Sequence, residues 1–282
     1  MKKFRAWHIA LIGLAVFLLF GGISAIIIRT NEKYHSQSAW TVGWDNGRWW
    51  TFGDAESYSI DEADSVQISS SIKAVELSCI SADINITQTD GDEMQVHLYG
   101  DYASVGGEIE LDIQSVGSTI KVIVKYPRNT GTYSNDLVLD IQLPQQYNQD
   151  IKISSVSSDI EFEGETMMLD TFEVKTVSGA INFNTLYAKS VRVETVSGDV
   201  MLTTMVNPDL TVETVSGDVQ IVLEGDKEFY VDYSTISGDF ECDIPLNIKS
   251  QTRGGFEGYS GNENAVRFEV GTISGDFVII EK

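Results

Sequence analysis

Apolar and polar residues alternate along much of this chain in a pattern that occurs seven times. Each copy centres on a tetrad whose consensus is Val or Ile, Ser, Gly and Asp, as at residues 196–199. The residues five and three positions before the first tetrad residue, and four and six positions after it, are apolar in every copy; Val191, Val193, Val200 and Leu202 are one set. Alternation with a period of two on both sides of a turn predicts two short, half-buried strands per copy.

From residue 156 onward the tetrads follow one another at intervals of 19 to 21 residues, apart from a last interval of 37. Ser158 and, in an earlier copy, Ala82 replace the Gly. Because Ser and Gly favour tight turns, the Ser and Gly of the intact tetrads are predicted to be structural turn residues. They are Ser178, Gly179, Ser197, Gly198, Ser216, Gly217, Ser237, Gly238, Ser274 and Gly275.

A unit of two half-buried strands cannot bury its inner face alone, whereas stacked copies bury a continuous core. The pattern therefore predicts an all-β fold: a parallel β-solenoid, or β-helix, with about ten rungs of two or three short strands. A β-sandwich of hairpins is the alternative, but it needs stronger hairpin-turn signals and does not require a constant repeat length.

The longest interval contains a Gly-rich and polar stretch at residues 253–264, which we interpret either as a recognition loop or as a disordered excursion without function. Arg253, Phe256 and Tyr259 are its candidate interaction residues, and residues 252–255 resemble a decayed tetrad. No obvious cap follows the last predicted strand, residues 277–280. We therefore expect self-association through the solenoid ends, or burial of that edge by the 253–264 stretch.

Residues 6–28 contain no Asp, Glu, Lys or Arg, and 23 such residues are long enough to cross a bilayer as one transmembrane helix. Basic residues precede the segment, so residues 1–5 are predicted to be a cytoplasmic tail and the bulk of the chain to be extracytoplasmic. The predicted protein is thus a single-pass cell-membrane protein with a juxtamembrane stalk at 29–65 and the solenoid at 66–282. A cleaved signal peptide is the competing interpretation.

Four tryptophans follow the apolar segment: Trp40, Trp44, Trp49 and Trp50. Tryptophan favours the headgroup level of a bilayer because its ring is apolar and its N–H needs a polar partner. This segment is therefore predicted to cap the membrane-proximal end of the solenoid or to rest on the bilayer. An aromatic platform for a glycan or a lipid is the functional alternative.

The formal net charge is −23, and the acidic residues lie in the body of the chain. Such a body repels nucleic acid, so nucleic-acid binding is excluded, and it attracts cationic ligands or basic partners. If the rungs stack in chain order, Asp199, Asp218 and Asp239 form a ladder of like charges. We expect each carboxylate to accept backbone N–H groups at its own turn, and bound Ca²⁺ is the alternative.

Candidate chemistry is sparse. The chain has three His residues, and no Ser-His-Asp arrangement or Cys/His metal spacing is visible. The sequence thus predicts no enzyme, no cofactor and no metal site beyond the weak Ca²⁺ candidate, although a carboxylate pair in a glycan-active enzyme stays an alternative. Cys79 and Cys242 are predicted to be buried and too far apart for a disulfide.

The repeated Thr-Val-Ser-Gly-Asp-Val motif, with residues 80–84 and 270–276, resembles the "putative adhesin" β-strand-repeat domain of LiaG-like proteins from Gram-positive bacteria. That family is akin to the toastrack solenoids, and the resemblance runs from about Val66 to Lys282. It implies a surface β-solenoid encoded near envelope-stress or PadR-type regulatory genes, and it supplies no catalytic residues. Ala180 in place of Asp, Ser158 and Ala82 in place of Gly, and the Trp-rich stalk depart from the family pattern.

The sequence therefore predicts a non-enzymatic interaction or scaffold module that acts in envelope stress response or sensing. Its expected partner is another envelope protein or a cationic ligand. A surface adhesin is the second interpretation, and a glycan-active β-helix enzyme is the third.

Overall fold

The computed structural model describes residues 56–104, 107–127, 132–163, 168–205 and 208–282, and every helix or strand element among them is a β-strand. Within these ranges no helix is long and apolar enough to cross a membrane. The predicted cytoplasmic tail at 1–5, the transmembrane helix at 6–28 and the four stalk tryptophans lie outside the described residues.

The described residues form 21 strands. They are β1 (Glu56–Gln67), β2 (Ala74–Ser78), β3 (Asp83–Thr89), β4 (Glu93–Ser104), β5 (Glu110–Val116), β6 (Thr119–Lys125), β7 (Thr132–Pro144), β8 (Asp150–Ser154), β9 (Ile160–Glu163), β10 (Met168–Lys175), β11 (Ile181–Asn184), β12 (Tyr187–Glu194), β13 (Val200–Thr204), β14 (Asp209–Glu213), β15 (Val219–Leu223), β16 (Phe229–Ser234), β17 (Phe240–Cys242), β18 (Asn247–Thr252), β19 (Gly255–Ser260), β20 (Arg267–Gly271) and β21 (Phe277–Glu281).

The strands form two facing sheets. Sheet A has ten strands in the order β1-β4-β7-β3-β9-β11-β13-β15-β21-β17, and sheet B has eleven in the order β18-β19-β16-β20-β14-β12-β10-β8-β2-β6-β5. The eight strands from β7 to β17 in sheet A and the eight from β16 to β6 in sheet B are parallel. The all-β class and the stacked repeat are confirmed, with eight parallel two-strand rungs rather than about ten.

Antiparallel strands extend both sheets beyond the parallel rungs. In sheet A, β4 pairs with β7 and β1 pairs with β4. Sheet B is extended by β5 at one end and by the β19–β18 hairpin at the other. The sheet therefore begins at Glu56 rather than at residue 66, the predicted solenoid boundary.

The apolar columns of the sequence form the core. Val193 pairs with Val212, and Val212 pairs with Val270 on the next strand. Val193, Val212 and Val231 are 0% exposed, so all three point into the shared interior. The copies at residues 80 and 156 are also direct neighbours: Leu77 pairs with Ile153 across a long chain separation. Register, rather than distance along the chain, decides which copies stack.

Stacking order departs from chain order at the C-terminal end. The last strand, β21, lies between β15 and β17, and β20 lies between β14 and β16. The final rung is therefore inserted into the stack and is paired on both sides. The expectation that residues 277–280 leave an open edge is wrong, because the edge strands at this end are β17 and β18.

The stretch at 253–264 is largely ordered as a β-hairpin. In the stretch 252–255, which resembles a decayed tetrad in sequence, Thr252 pairs with Gly255, and residues 253–254 form the turn between the antiparallel strands β18 and β19. Phe256 is 8% exposed and stacks on Phe240 with ring centroids 4.5 Å apart. Phe256 thus packs against the end of the core, and the interpretation of this stretch as a loop is wrong.

Candidate interaction surfaces

The tetrads meet at one corner of the solenoid and form a third backbone ladder there. The backbone N–H of Ser197 donates to the carbonyl of Val177 at 3.0 Å, and Ser216 donates to Val196 at 2.9 Å. The same bond, at 2.9 Å, joins Ser274 to Val215. The Ser positions therefore connect successive rungs through their main chain.

The tetrad glycines are required by close contact between rungs. A Cβ on Gly217 would lie 2.1 Å from the carbonyl oxygen of Gly198, and one on Gly275 would lie 2.2 Å from that of Gly217. No side-chain carbon can approach an oxygen this closely. Gly179 alone among the tetrad glycines has a positive φ, 112°. At the other positions the missing side chain, and not a left-handed turn conformation, explains the glycine.

The tetrad aspartates also join rungs. Oδ1 of Asp199 accepts the backbone N–H of Asp218 at 2.9 Å, Asp218 accepts that of Asp276 at 2.9 Å, and Asp276 accepts that of Asp239 at 2.8 Å. Two predictions are corrected. Asp276 stands between Asp218 and Asp239 because the last rung is inserted, and each carboxylate bonds the next rung rather than its own turn. Ala180, which lacks a carboxylate, interrupts the column.

The structure supplies no metal cage for this aspartate column. Within the described ranges, no group of three or more His, Cys, Asp or Glu side chains could hold a metal ion. The carboxylates of Asp199, Asp218 and Asp276 are instead used as acceptors of neighbouring N–H groups. Their observed role is structural.

The outer face of sheet B carries charges of alternating sign. Lys121 on β6 pairs with Glu76 on β2 at 2.8 Å, and Lys175 on β10 lies 3.1 Å from Glu173 and 3.4 Å from Glu194. Partial burial acts to lower the pKa of Lys175, but hydrogen bonds and Coulomb attraction from the two carboxylates outweigh it and raise that pKa. Much of this face is therefore neutralised by its own ion pairs.

The outer face of sheet A differs, because its centre carries no charge. Cross-strand register places Met201 beside Gln220 and Gln220 beside Val278 in one row. A second row joins Thr203, Val222 and Ile280 in the same way. These six residues, on β13, β15 and β21, are called the uncharged patch; they are Met201, Thr203, Gln220, Val222, Val278 and Ile280.

Acidic residues border the uncharged patch on both sides. Glu161 and Glu163 on β9 are exposed beyond the intervening β11, and Glu241 on β17 pairs directly with Val278. Asp243 follows β17 and is also exposed. The patch thus presents apolar and uncharged polar side chains, with acidic residues beyond it on both sides.

A cleft of about 490 Å³ opens at the C-terminal end of the stack, between β17 and the β18–β19 hairpin. Phe240, Ile248 and Arg253 contribute to its lining.

Cys242, predicted to be buried, is half-buried here, whereas Cys79 is fully buried, and both thiols are free. Arg253 is exposed and Phe256 forms the floor; the third residue predicted from this stretch, Tyr259, does not line the cleft. All fifteen lining residues are Tyr233, Thr235, Gly238, Asp239, Phe240, Cys242, Ile244, Pro245, Leu246, Ile248, Gln251, Thr252, Arg253, Gly255 and Phe256.

A polar groove of about 490 Å³ lies near the other end, on the outer face of β1, β4 and β7. His97 Nε2 lies 2.7 Å from Oδ1 of Asp61, and both side chains are well exposed. Asp140, in the same groove, accepts a hydrogen bond from Asn85 at 2.9 Å. Sequence reasoning missed the pair because Asp61 lies in the segment interpreted as a stalk.

The uncharged patch was also missed, although its signal is present in the repeats. The outward positions five and seven residues after the first tetrad residue are uncharged in five copies, at 85 and 87, 182 and 184, 201 and 203, 220 and 222, and 278 and 280. The copies at 201 and 220 follow each other in the chain, but the one at 278 becomes their neighbour only through the inserted rung. The uncharged positions can therefore be read from the sequence of each repeat. That they lie side by side in the sheet cannot.

Two sheets of stacked tetrad repeats define a repeat protein of the parallel β-solenoid class. Within that class, the chain belongs to the Toastrack DUF4097 family, which matches residues 72–207 and 171–279. This match confirms the resemblance to the "putative adhesin" β-strand-repeat family. No functionally curated protein matches the sequence significantly.

Several solved structures are similar to this chain. A "putative cell adhesion protein" from Clostridium sporogenes is 13% identical, with a TM-score of 0.50 over 80% of this chain and 100% of that one. A "putative adhesin" from Bacteroides fragilis is 15% identical, with a TM-score of 0.39 over 79% and 97% of the two chains. A "Putative lipid binding protein" from Parabacteroides distasonis is 14% identical, with a TM-score of 0.34 over 79% and 96%. At such identities the first of these likenesses shows a common fold and nothing more.

Proposed function

We propose that this protein is a non-enzymatic interaction module: an extracytoplasmic scaffold, anchored by residues 6–28, that acts in cell-envelope stress response or sensing. Its partner is an envelope protein whose contact surface has an apolar centre and a rim of Lys or Arg. The observation that carries this proposal is the uncharged patch with its acidic borders. On a chain of net charge −23, a charge-free strip that runs across β13, β15 and β21 is a surface suited to close apolar contact.

Size and charge together indicate the partner. The patch is only a few strands wide, and a stable interface needs about 800 Å² on each side, so the acidic rims take part in the contact. Glu161, Glu163, Glu241 and Asp243 would repel a second copy of this chain at the same face. A basic rim on the partner gains attraction from these residues and faster association.

The test is site-specific photo-crosslinking in the native cells, with the full chain expressed from its own locus. A photoreactive residue replaces Thr203 in the uncharged patch or, as a matched control, Thr211 on the outer face of sheet B. We expect position 203 to crosslink to one dominant envelope protein that has a basic surface. The yield of this crosslinked product should be at least tenfold lower from position 211. Replacing Glu161 and Glu241 by Lys should remove the product at 203. Equal products at both positions, or a product that survives the charge reversal, would contradict the proposal.

A surface adhesin is the second candidate. It is favoured by the description of the Clostridium sporogenes structure as a "putative cell adhesion protein". Deleting the gene and scoring attachment of the cells to host or neighbouring cells separates the two functions. Loss of attachment, restored by the wild-type chain and equally by the variant with Glu161 and Glu241 replaced by Lys, supports adhesion over the envelope-partner proposal.

A further inference from the structure

The two sheets end at different heights at the C-terminal end of the stack. Strand β17 is the last strand of sheet A, whereas sheet B continues beyond β16 by two more strands, β19 and β18. The inner face of the hairpin therefore projects past sheet A. The 490 Å³ cleft lies in this step, beside the unpaired edge of β17.

Apolar side chains at this step are incompletely covered. Ile248 on β18 is 60% exposed, the highest value among the exposed large apolar side chains of the described residues. Phe240 and Cys242, which point inward from β17, are only half-buried, although the equivalent Phe277 and Ile279 on β21 are fully buried. A further strand beside β17 would cover these groups as β17 covers those of β21.

The edge of β17 also carries backbone N–H and C=O groups that are not directed at β21. Phe277 N–H donates to the Asp239 carbonyl at 2.9 Å, and Asp243 N–H donates to the Ile279 carbonyl at 3.0 Å. Alternate residues of a parallel strand bond to opposite sides. The backbone N–H and C=O groups of Phe240 and Cys242 therefore face away from β21, toward the cleft.

Charge limits what can pair with this edge. Glu241 points outward from β17, between Asp239 and Asp243, and all three are exposed. A charged residue on a short edge strand discourages pairing between identical edges, because two copies would bring these carboxylates together. An incoming strand with Lys or Arg opposite Glu241 would instead be attracted, since opposite charges on paired strands stabilise a sheet.

We propose that the cleft binds an extended polypeptide segment of a partner protein, which adds to β17 as a further strand. Its apolar residues point inward onto Phe240 and Ile248, and a basic residue between them points outward beside Glu241. This site adjoins the uncharged patch, since Glu241 also borders that patch, but it uses the edge and inner face of β17 rather than the outer face of sheet A, and it goes beyond the proposed function. Because sheet A has ten strands, the site lies about 43 Å from β1, at the end remote from where the chain enters the fold.

The probe is a fluorescent seven-residue peptide of alternating valine and lysine, titrated by fluorescence anisotropy into the purified full chain in mild detergent. We expect saturable binding. Ile248→Asp should weaken it about tenfold or more, because the burial of one large apolar side chain is lost. The matched control is Val116→Asp, which places the same charge at an equally exposed position, 54%, at the opposite end of sheet B and should leave binding unchanged.

Three further comparisons have outcomes that would contradict strand addition. A peptide with alternate amides N-methylated keeps the side chains but cannot pair as a strand, so equal binding would refute strand addition. A valine–glutamate peptide should bind Glu241→Lys better than the wild type, and the valine–lysine peptide should show the reverse order. Absence of saturable binding, or equal effects of Ile248→Asp and Val116→Asp, would overturn the proposal. Far-UV circular dichroism confirms that each variant keeps its β-structure.

Discussion

Oδ1 of Asp199 lies 2.9 Å from the backbone nitrogen of Asp218, one rung further along the stack. Ser216 N–H and Val200 N–H complete the backbone bonds around this corner, at 2.9 and 2.8 Å. The aspartate carboxylate thus satisfies an N–H group that the bend of the chain turns away from main-chain acceptors. The aspartate column accepts backbone N–H groups, as the sequence predicted, but it does so between rungs and continues the hydrogen-bond ladder.

Replacing Asp199 tests this role. Asp199→Ala should lower the free energy of unfolding by about 1–2 kcal/mol, because the Asp218 N–H loses a charged acceptor. Asp199→Asn should cost less, since the amide oxygen can still accept the bond. Urea denaturation followed by circular dichroism measures both. Asp90→Ala removes the same charge at an exposed turn and serves as the control; an equal loss there would assign the effect to net charge.

Gly217 should not tolerate a side chain. Gly217→Ala is expected to cost about 3 kcal/mol or more, because its Cβ would lie 2.1 Å from the Gly198 carbonyl oxygen and must push two rungs apart. Gly91→Ala, where the nearest atom is 3.7 Å away, should change stability by less than about 0.5 kcal/mol. Thermal denaturation distinguishes them. Similar midpoints for the two variants would show that the rungs can separate without cost.

The hydroxyl groups of the buried threonines that precede the tetrads are expected to contribute differently to the free energy of unfolding. The Thr176 hydroxyl donates to the Ser178 carbonyl at 2.9 Å and accepts from Ser155 at 2.9 Å. The buried Thr214 hydroxyl, by contrast, has no hydrogen-bond partner among the residues that the structure describes. Thr176→Val should therefore destabilise the fold by about 1 kcal/mol or more, and Thr214→Val should be neutral or stabilising. Urea midpoints of the two variants test the contrast. A larger loss for Thr214→Val would contradict it.

Cys79 should make stability depend on alkaline pH. Burial raises the pKa of its thiol from 9.0 to about 11, despite a 3.2 Å contact between Sγ and the Ser158 hydroxyl. The neutral, buried thiol therefore contributes to the free energy of unfolding. This contribution is complete below pH 9 and is lost as pH rises toward 11, because the Cys79 thiol ionises at a lower pH in the unfolded chain than in the folded one. Over that range it amounts to on the order of 2 kcal/mol.

Urea unfolding at pH 8 and at pH 11 measures this effect. Cys79→Ala should lose less stability than the wild type between the two values, while Cys242→Ser should behave more nearly like the wild type because Cys242 is only half-buried. An identical pH dependence of Cys79→Ala and the wild type would show that Cys79 does not contribute.

The repeat columns allowed the interior of the solenoid to be predicted residue by residue, because burial on one face imposes a period of two on any strand. Chain spacing could not reveal which copies are neighbours. Leu77 and Ile153 pair directly although more than three repeat lengths separate them, since residues between them form β3 to β7 at the end of the stack. The candidate surfaces depend on which repeat copies are adjacent in the stack. They could therefore be predicted only in part.

The amino-acid pattern alone determined that the part of the chain seen in the structure is all-β, which side chains point inward, and where each rung bends. Those properties are local, because they depend on alternation and on residues that suit a corner. The order of the rungs, the uncharged patch and the step beside β17 were decided only by the tertiary structure. All rungs present nearly the same apolar columns, so the alternation alone cannot specify their order, and outward residues such as Met201 and Val278 acquire a shared surface only after the stack has formed.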